Sequence, residues 1–161
     1  AAMRLYEISE GSFVLHSMEE KDIDTIGMSD IIAVASDGNS LRNTGPLSSG
    51  KPHPRSYGTN TRFIEDMVVN KKLVPISKAI YRMTALPASR LGLKRRGEIK
   101  KGYFADINIF KPEDLKEKAT YVDPHQYSTG MKYVIVNGNI ALKDSKKISG
   151  RFGQVVRSKE G

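Results

Sequence analysis

The sequence predicts an α/β chain whose character changes partway along, from a strand-helix-strand unit with further helices to an all-β remainder. Three observations carry this. The apolar run Asp30-Ile-Ile-Ala-Val-Ala35 has the unbroken β-branched and aliphatic character of a buried parallel strand. Residues 61–70 and 77–85 space their apolar side chains at helical period. Asn137-Gly138 lies between two apolar runs, and a type I′ hairpin turn needs positive φ at both of its central residues.

Taken in order, Phe13-Val-Leu-His16 reads as a short strand. Ser17 can then cap a helix in a capping box with Glu20, running to about Ile26 with Gly27 at its end. The run 31–35 completes a right-handed parallel crossover. In the helix over 61–70, Phe63, Met67 and Val68 share a face. In the next, Ser77 is the cap and Ile80, Tyr81 and Thr84 face inward until Leu86-Pro87 interrupts. A shorter turn carries Ala88, Leu91 and Leu93 toward the core. From Gly97 onward the chain reads as β: residues 105–110 alternate by strand period and residues 133–142 form the hairpin. The boundary between the two parts falls near residues 93–97, giving segments 1–94 and 95–161.

Composition bounds the function. The 161 residues are 39% hydrophobic and 27% charged, with no apolar run long enough to cross a bilayer. No basic leader followed by an apolar core opens the chain, so a cytoplasmic location is expected. The absence of cysteine excludes disulfides and thiolate metal sites within the segment. The net charge of +8 comes with Lys71-Lys72, Lys94-Arg95-Arg96, Lys100-Lys101 and Lys146-Lys147 at predicted helix ends and loops. No nucleic-acid-binding motif accompanies them, so no nucleic-acid partner is expected.

Ala35-Ser-Asp-Gly38 ends the predicted strand on a carboxylate, and catalytic groups of barrel sheets sit just past the carboxyl ends of such strands. Asp37 is therefore the first catalytic candidate, although Ser-Asp-Gly is equally ordinary turn chemistry. A long polar loop then leads to Lys51-Pro-His-Pro-Arg-Ser-Tyr-Gly58. Arg55 offers a rigid fork for a bidentate carboxylate contact, with a surface ion pair as its plain alternative. His53, between two prolines, suits a supporting role.

This order, continued by Met83-Thr-Ala-Leu-Pro-Ala-Ser-Arg-Leu-Gly-Leu93, Arg96-Gly-Glu-Ile-Lys-Lys-Gly-Tyr-Phe-Ala-Asp106, Ala119-Thr-Tyr-Val-Asp-Pro-His-Gln-Tyr127 and Tyr133-Val-Ile-Val-Asn-Gly138, resembles the N-acyl-D-amino-acid deacylase branch of the amidohydrolase superfamily. The Gly-x-Ile-x-x-Gly-x-x-Ala-Asp stretch indicates the superfamily; the His-Pro-Arg loop and the 119–127 stretch indicate the branch. The resemblance implies the carboxyl-terminal part of a (β/α)8 barrel followed by strands of a small β-sandwich. It implies Asp37 as metal-site carboxylate and general base, and Arg55 as the grip on the substrate α-carboxylate, with His53 shaping the pocket. It also implies zinc, with the other ligands in an amino-terminal part, and an N-acyl-D-amino acid as substrate in linear amide hydrolysis.

Three histidines, none close to another in sequence, do not make the three-ligand set of a catalytic zinc, so the isolated chain is expected to be inactive. His16 reads as a wall residue, and the resemblance places His125 in the sandwich region, far from the metal, where loop packing explains it. Asp106 reads as a turn-bonding carboxylate, and Tyr121 and Tyr127 acquire no chemical role. A truncated barrel exposes apolar strand faces at 13–15 and 31–34, so the remainder of a barrel or a second copy should cover them. Two other readings stay open: a cyclic-amide hydrolase resembling dihydroorotases or hydantoinases, and a non-catalytic stand-alone remnant.

Overall fold

The computed structural model describes residues 17–157. The predicted strand at 13–16, His16 included, lies outside them. Helix α1 spans Glu20–Met28. Its start differs from the capping-box expectation: Glu19 occupies the cap with no side-chain hydrogen bond, and Glu20 and Asp22 fill the first turn. Carboxylates there complement the positive end of the helix dipole without a hydroxyl cap. Gly27 is inside the helix and buried, and a Cβ on it would lie 2.3 Å from Cε of Met67.

The run 31–35 forms no ladder, and among the described residues no strand precedes Ile107. A strand exists only by pairing, so the parallel crossover is not closed here. The run is instead tied to a helix. Arg82 is 2% exposed; its Nε donates to the carbonyl of Ile32 at 2.7 Å and its Nη1 to that of Gly27. The N–H of Val34 returns a bond to the carbonyl of Arg82 at 3.1 Å.

Helix α2 covers Arg55–Phe63 and passes directly into a π-helical segment, Ile64–Asn70. It begins well before the predicted 61–70 helix; its first half, polar and containing Gly58, a poor helix former, carries no helical periodicity. Tertiary contact overrides that propensity: a Cβ on Gly58 would lie 2.3 Å from Cγ of Glu117, so glycine admits the segment packed on it. Helices α3, Ile76–Met83, and α4, Ala85–Arg90, follow. Pro75, not Ser77, precedes α3. Tyr81 is exposed while Ala79 and Arg82 are buried, so the inward face is rotated from the expected one. The break falls at Thr84 (φ −130°, ψ −84°) and not at Leu86-Pro87. Pro87 sits in the first turn of α4, where its missing N–H costs nothing. Ala88 is buried, but Leu91 is exposed. Met67, Val74 and Ala79 form the core, with Phe63, Val68 and Met83 packed around them.

Four antiparallel strands make the sheet, in the order β1 Ile107–Phe110, β2 Met131–Val136, β3 Asn139–Lys143 and β4 Lys146–Lys147. Val136 pairs with Asn139 across the predicted Asn137-Gly138 turn, whose residues have φ 47° and 79°. β1 is shorter than the 105–110 reading, the register shifts between Ile109 and Phe110, and Ile109 is exposed among the described residues. Asp106 takes the N–H of Asn137 at 2.8 Å and pairs with Arg96, which is the turn-bonding role read from the sequence.

Replacing Arg82 with alanine leaves two carbonyls without their donor. We expect a loss of about 2–4 kcal/mol in urea unfolding, with Arg82→Lys recovering only part because one ammonium lacks the fork. Stability within about 0.5 kcal/mol of wild type would refute this role for the guanidinium.

Candidate active-site loop and its clamp

Asp37 has φ 47°, a left-handed conformation that Asp tolerates better than most residues and that recurs at functional sites. The hydroxyl of Ser36 accepts the N–H of Gly38 at 3.2 Å. A Cβ on Gly38 would lie 2.8 Å from Cα of Ser56, so the absence of a side chain lets this turn approach the start of α2. The approach brings the two foremost sequence candidates together: Oδ2 of Asp37 lies 2.8 Å from Nη2 of Arg55. Their side chains are 85% and 45% exposed, so the pair is worth no more than about 1 kcal/mol.

His53 is joined to the same place. Its Nδ1 accepts the backbone N–H of Arg55 at 3.0 Å, which assigns the proton of the neutral ring to Nε2, 3.0 Å from the hydroxyl of Tyr121. The Tyr121 ring meets the imidazole edge-on, centroids 5.0 Å apart. A second pair has the partners exchanged. His125 Nδ1 lies 2.8 Å from the Tyr57 hydroxyl, and Nε2 lies 2.8 Å from the carbonyl of Gly50. Lys51 Nζ donates to the carbonyl of Val122 at 2.7 Å, and the N–H of Asn43 to the Tyr127 hydroxyl at 3.3 Å.

His125 packs against the candidate loop, in line with its loop-packing reading. Tyr121 and Tyr127, which acquired no role from sequence, do the same. Sequence reasoning missed Tyr57, Tyr121 and His125 as partners. The available signal was the shared four-residue spacing, His53 to Tyr57 and Tyr121 to His125, but nothing local links two stretches so far apart. Among the described residues no group of three or more His, Asp or Glu side chains could hold a metal ion. Asp37 brings one carboxylate, and a catalytic zinc takes about three protein ligands, so these residues alone do not fit one.

An Asp-bearing turn packed on a His-Pro-Arg loop stands ahead of helices and an antiparallel sheet, a small α/β arrangement. Residues 44–142 match the amidohydrolase family, and the chain belongs to it. It is 34% identical over 139 residues to N-acyl-D-aspartate deacylase of Alcaligenes xylosoxydans xylosoxydans, covering 86% of this chain and 26% of that protein. The crystal structure of D-aminoacylase superposes with a TM-score of 0.77 at 30% identity, covering 87% of this chain and 28% of that one. N-acyl-D-glutamate deacylase from Bordetella bronchiseptica, solved with zinc and a phosphonate inhibitor, gives 0.74 at 34% identity over the same shares. The chain therefore spans little more than a quarter of the length of these relatives.

Partial desolvation, followed by the positive charges of Arg55 and Arg62, holds the His53 imidazole below its ordinary value of 6.5. Unfolding restores that value, so the unfolded chain binds the proton first as pH falls. The contribution of neutral His53 is present above pH 6.5 and is lost as pH drops from there toward the folded midpoint. An NMR titration should place that midpoint below 6.5, and His53→Gln should remove this part of the stability-pH profile. A midpoint at or above 6.5 would contradict the assignment.

Proposed function

We propose that the chain is the carboxyl-terminal portion of a metal-dependent N-acyl-D-amino-acid deacylase, in which Asp37 moves the proton and Arg55 holds the substrate. The observation that carries this is the meeting of Asp37 and Arg55 at 2.8 Å on a loop anchored by His53. A base poised beside a carboxylate-binding fork suits an N-acyl amino acid, which presents a scissile amide close to a free carboxylate. The exposed pair is weak enough to exchange: a substrate carboxylate offering both oxygens competes with one oxygen of Asp37 for the guanidinium. Released, the Asp37 carboxylate takes a proton from the attacking water and returns it to the departing amine.

Zinc belongs to the proposal through the relatives and would supply a water acidified toward neutral pH. The described residues offer it at most Asp37, so its other ligands come from elsewhere in the protein. The division into a barrel part at 1–94 and a sandwich part at 95–161 is also proposed; among the described residues, α-helices up to Arg90 and strands from Ile107 onward support it. No described helix is long and apolar enough to cross a membrane. Ile23, Ile26, Met28, Ile31 and Ile32 are exposed, Ile31 at 78%, which supports a covering by the rest of the barrel. The linear-amide reading is preferred to the cyclic-amide one because the N-acyl-D-amino-acid deacylases match 82–89% of this chain and the dihydroorotase 52%.

In the full-length enzyme assayed on N-acetyl-D-amino acids, Asp37→Asn should lower kcat about 10²–10⁴-fold. Arg55→Ala should raise KM about 10–100-fold, the effect of losing a charged hydrogen-bonded contact. Retention of most activity by Asp37→Asn would sink the assignment. The chain expressed without the remainder should self-associate in sedimentation velocity; a monodisperse monomer with a cooperative melt would count against the incomplete-barrel reading.

A further inference from the structure

We propose that residues 119–127 act as a clamp that positions Arg55, with Tyr121 and His125 as positioning residues for substrate binding. The inference rests on the reading of Arg55 as the substrate-carboxylate contact and extends it to residues that touch neither substrate nor reacting atoms. Residues 38–53 contain no helix or strand, so this loop does not fix its own geometry. It is fixed from outside at four places along one stretch: Asn43 by Tyr127, Gly50 by His125, Lys51 by Val122 and His53 by Tyr121. The last acts on Arg55 directly, because the imidazole that Tyr121 orients accepts the N–H of Arg55. The pair of His125 and Tyr57 then fixes α2 two residues beyond Arg55.

The clamp is itself anchored on the continuation of the same helix. Glu65, in the π-helical segment, takes the N–H of Glu117 at 3.0 Å and Nζ of Lys116 at 2.8 Å. Glu117 lies over Gly58, where no Cβ intervenes. The anchor of the clamp at Glu65 and its contact at Tyr57 therefore lie on one continuous helical element with Arg55. Losing a grip residue lets the guanidinium wander from the place where it meets the carboxylate, which weakens ground-state and transition-state binding alike. KM rises and kcat holds.

A merely structural role predicts otherwise, since loss of folded enzyme lowers the apparent kcat and leaves KM alone. The test is steady-state kinetics of the full-length enzyme on an N-acetyl-D-amino acid, for Tyr121→Phe, His125→Gln and Arg55→Ala, and for Tyr121→Phe combined with Arg55→Ala. Amide exchange at Arg55 is followed in the wild type and in Tyr121→Phe. We expect Tyr121→Phe to raise KM about tenfold, with kcat within about twofold, and to speed exchange at Arg55. His125→Gln should shift KM in the same direction, which keeps the test open if one variant folds poorly. In the Arg55→Ala background, Tyr121→Phe should change KM less than about twofold, because the contact it positions is already gone.

An equal KM effect with and without Arg55 overturns the clamp, as does an unchanged KM in both single variants. An unchanged KM in Arg55→Ala alone is a different failure. It removes the carboxylate-binding reading itself, and the clamp with it.

Discussion

The burial of Arg82 is the constraint on which the arrangement depends. A guanidinium cannot shed its charge, and burial works against the charged form; the charge of Asp30 opposes this effect. It is accommodated because the carbonyls of Gly27 and Ile32 accept its hydrogen bonds and the Phe63 ring lies 5.0 Å from it. Those carbonyls belong to the end of α1 and to the apolar run that leads to Asp37. The same side chain that completes the interior of α3 therefore tethers the segment carrying the candidate base. Among the described residues the run has no partner strand, and the Arg82 bonds are what tie it to the helices.

Much of the β region was legible because its determinants are local. Asn137-Gly138 specifies a tight turn through two positive φ values, whatever surrounds it, and the strands on either side follow from it. The helices were legible in existence but not in extent or facing. α2 begins at Arg55 despite Gly58 because Glu117 packs where a side chain would be, and that information lies in the 115–119 segment. The inward face of α3 was misread because Tyr81 looks apolar and Arg82 does not. Burial here was decided by which side chain could find carbonyl acceptors. The run 31–35 has the composition of a buried strand, but composition cannot supply the neighbours that make one.

The site divides in the same way. Asp37 and Arg55 could be singled out from their local contexts, a carboxylate after an apolar run and a guanidinium after a proline-flanked histidine. Their contact could not be, because it depends on Gly38 approaching Ser56 across a loop with no regular structure. The contacts of Tyr121 and His125 left only the shared four-residue spacing as a mark, since a tyrosine bonded to a distant histidine is chemically indistinguishable in sequence from one that fills a surface groove.

A long loop is an expensive place to hold catalytic and binding groups, because each ordered residue gives up about 1–2 kcal/mol of backbone entropy. The loop in this chain recovers order from elements on both of its sides. Pro52 and Pro54 restrict the backbone before folding, which lowers the entropy left to lose. The helix start at Arg55 fixes one end, Arg82 restrains the run leading into the other, and the 119–127 stretch binds the span between. The binding partners are mostly neutral hydrogen-bonding groups and not ion pairs. This division suits the proposed function: the scaffold contacts of the loop are directional and little screened by salt, while the exposed Asp37–Arg55 pair is weak and screened. A charged ligand can then exchange partners at the site without loosening the loop that presents it.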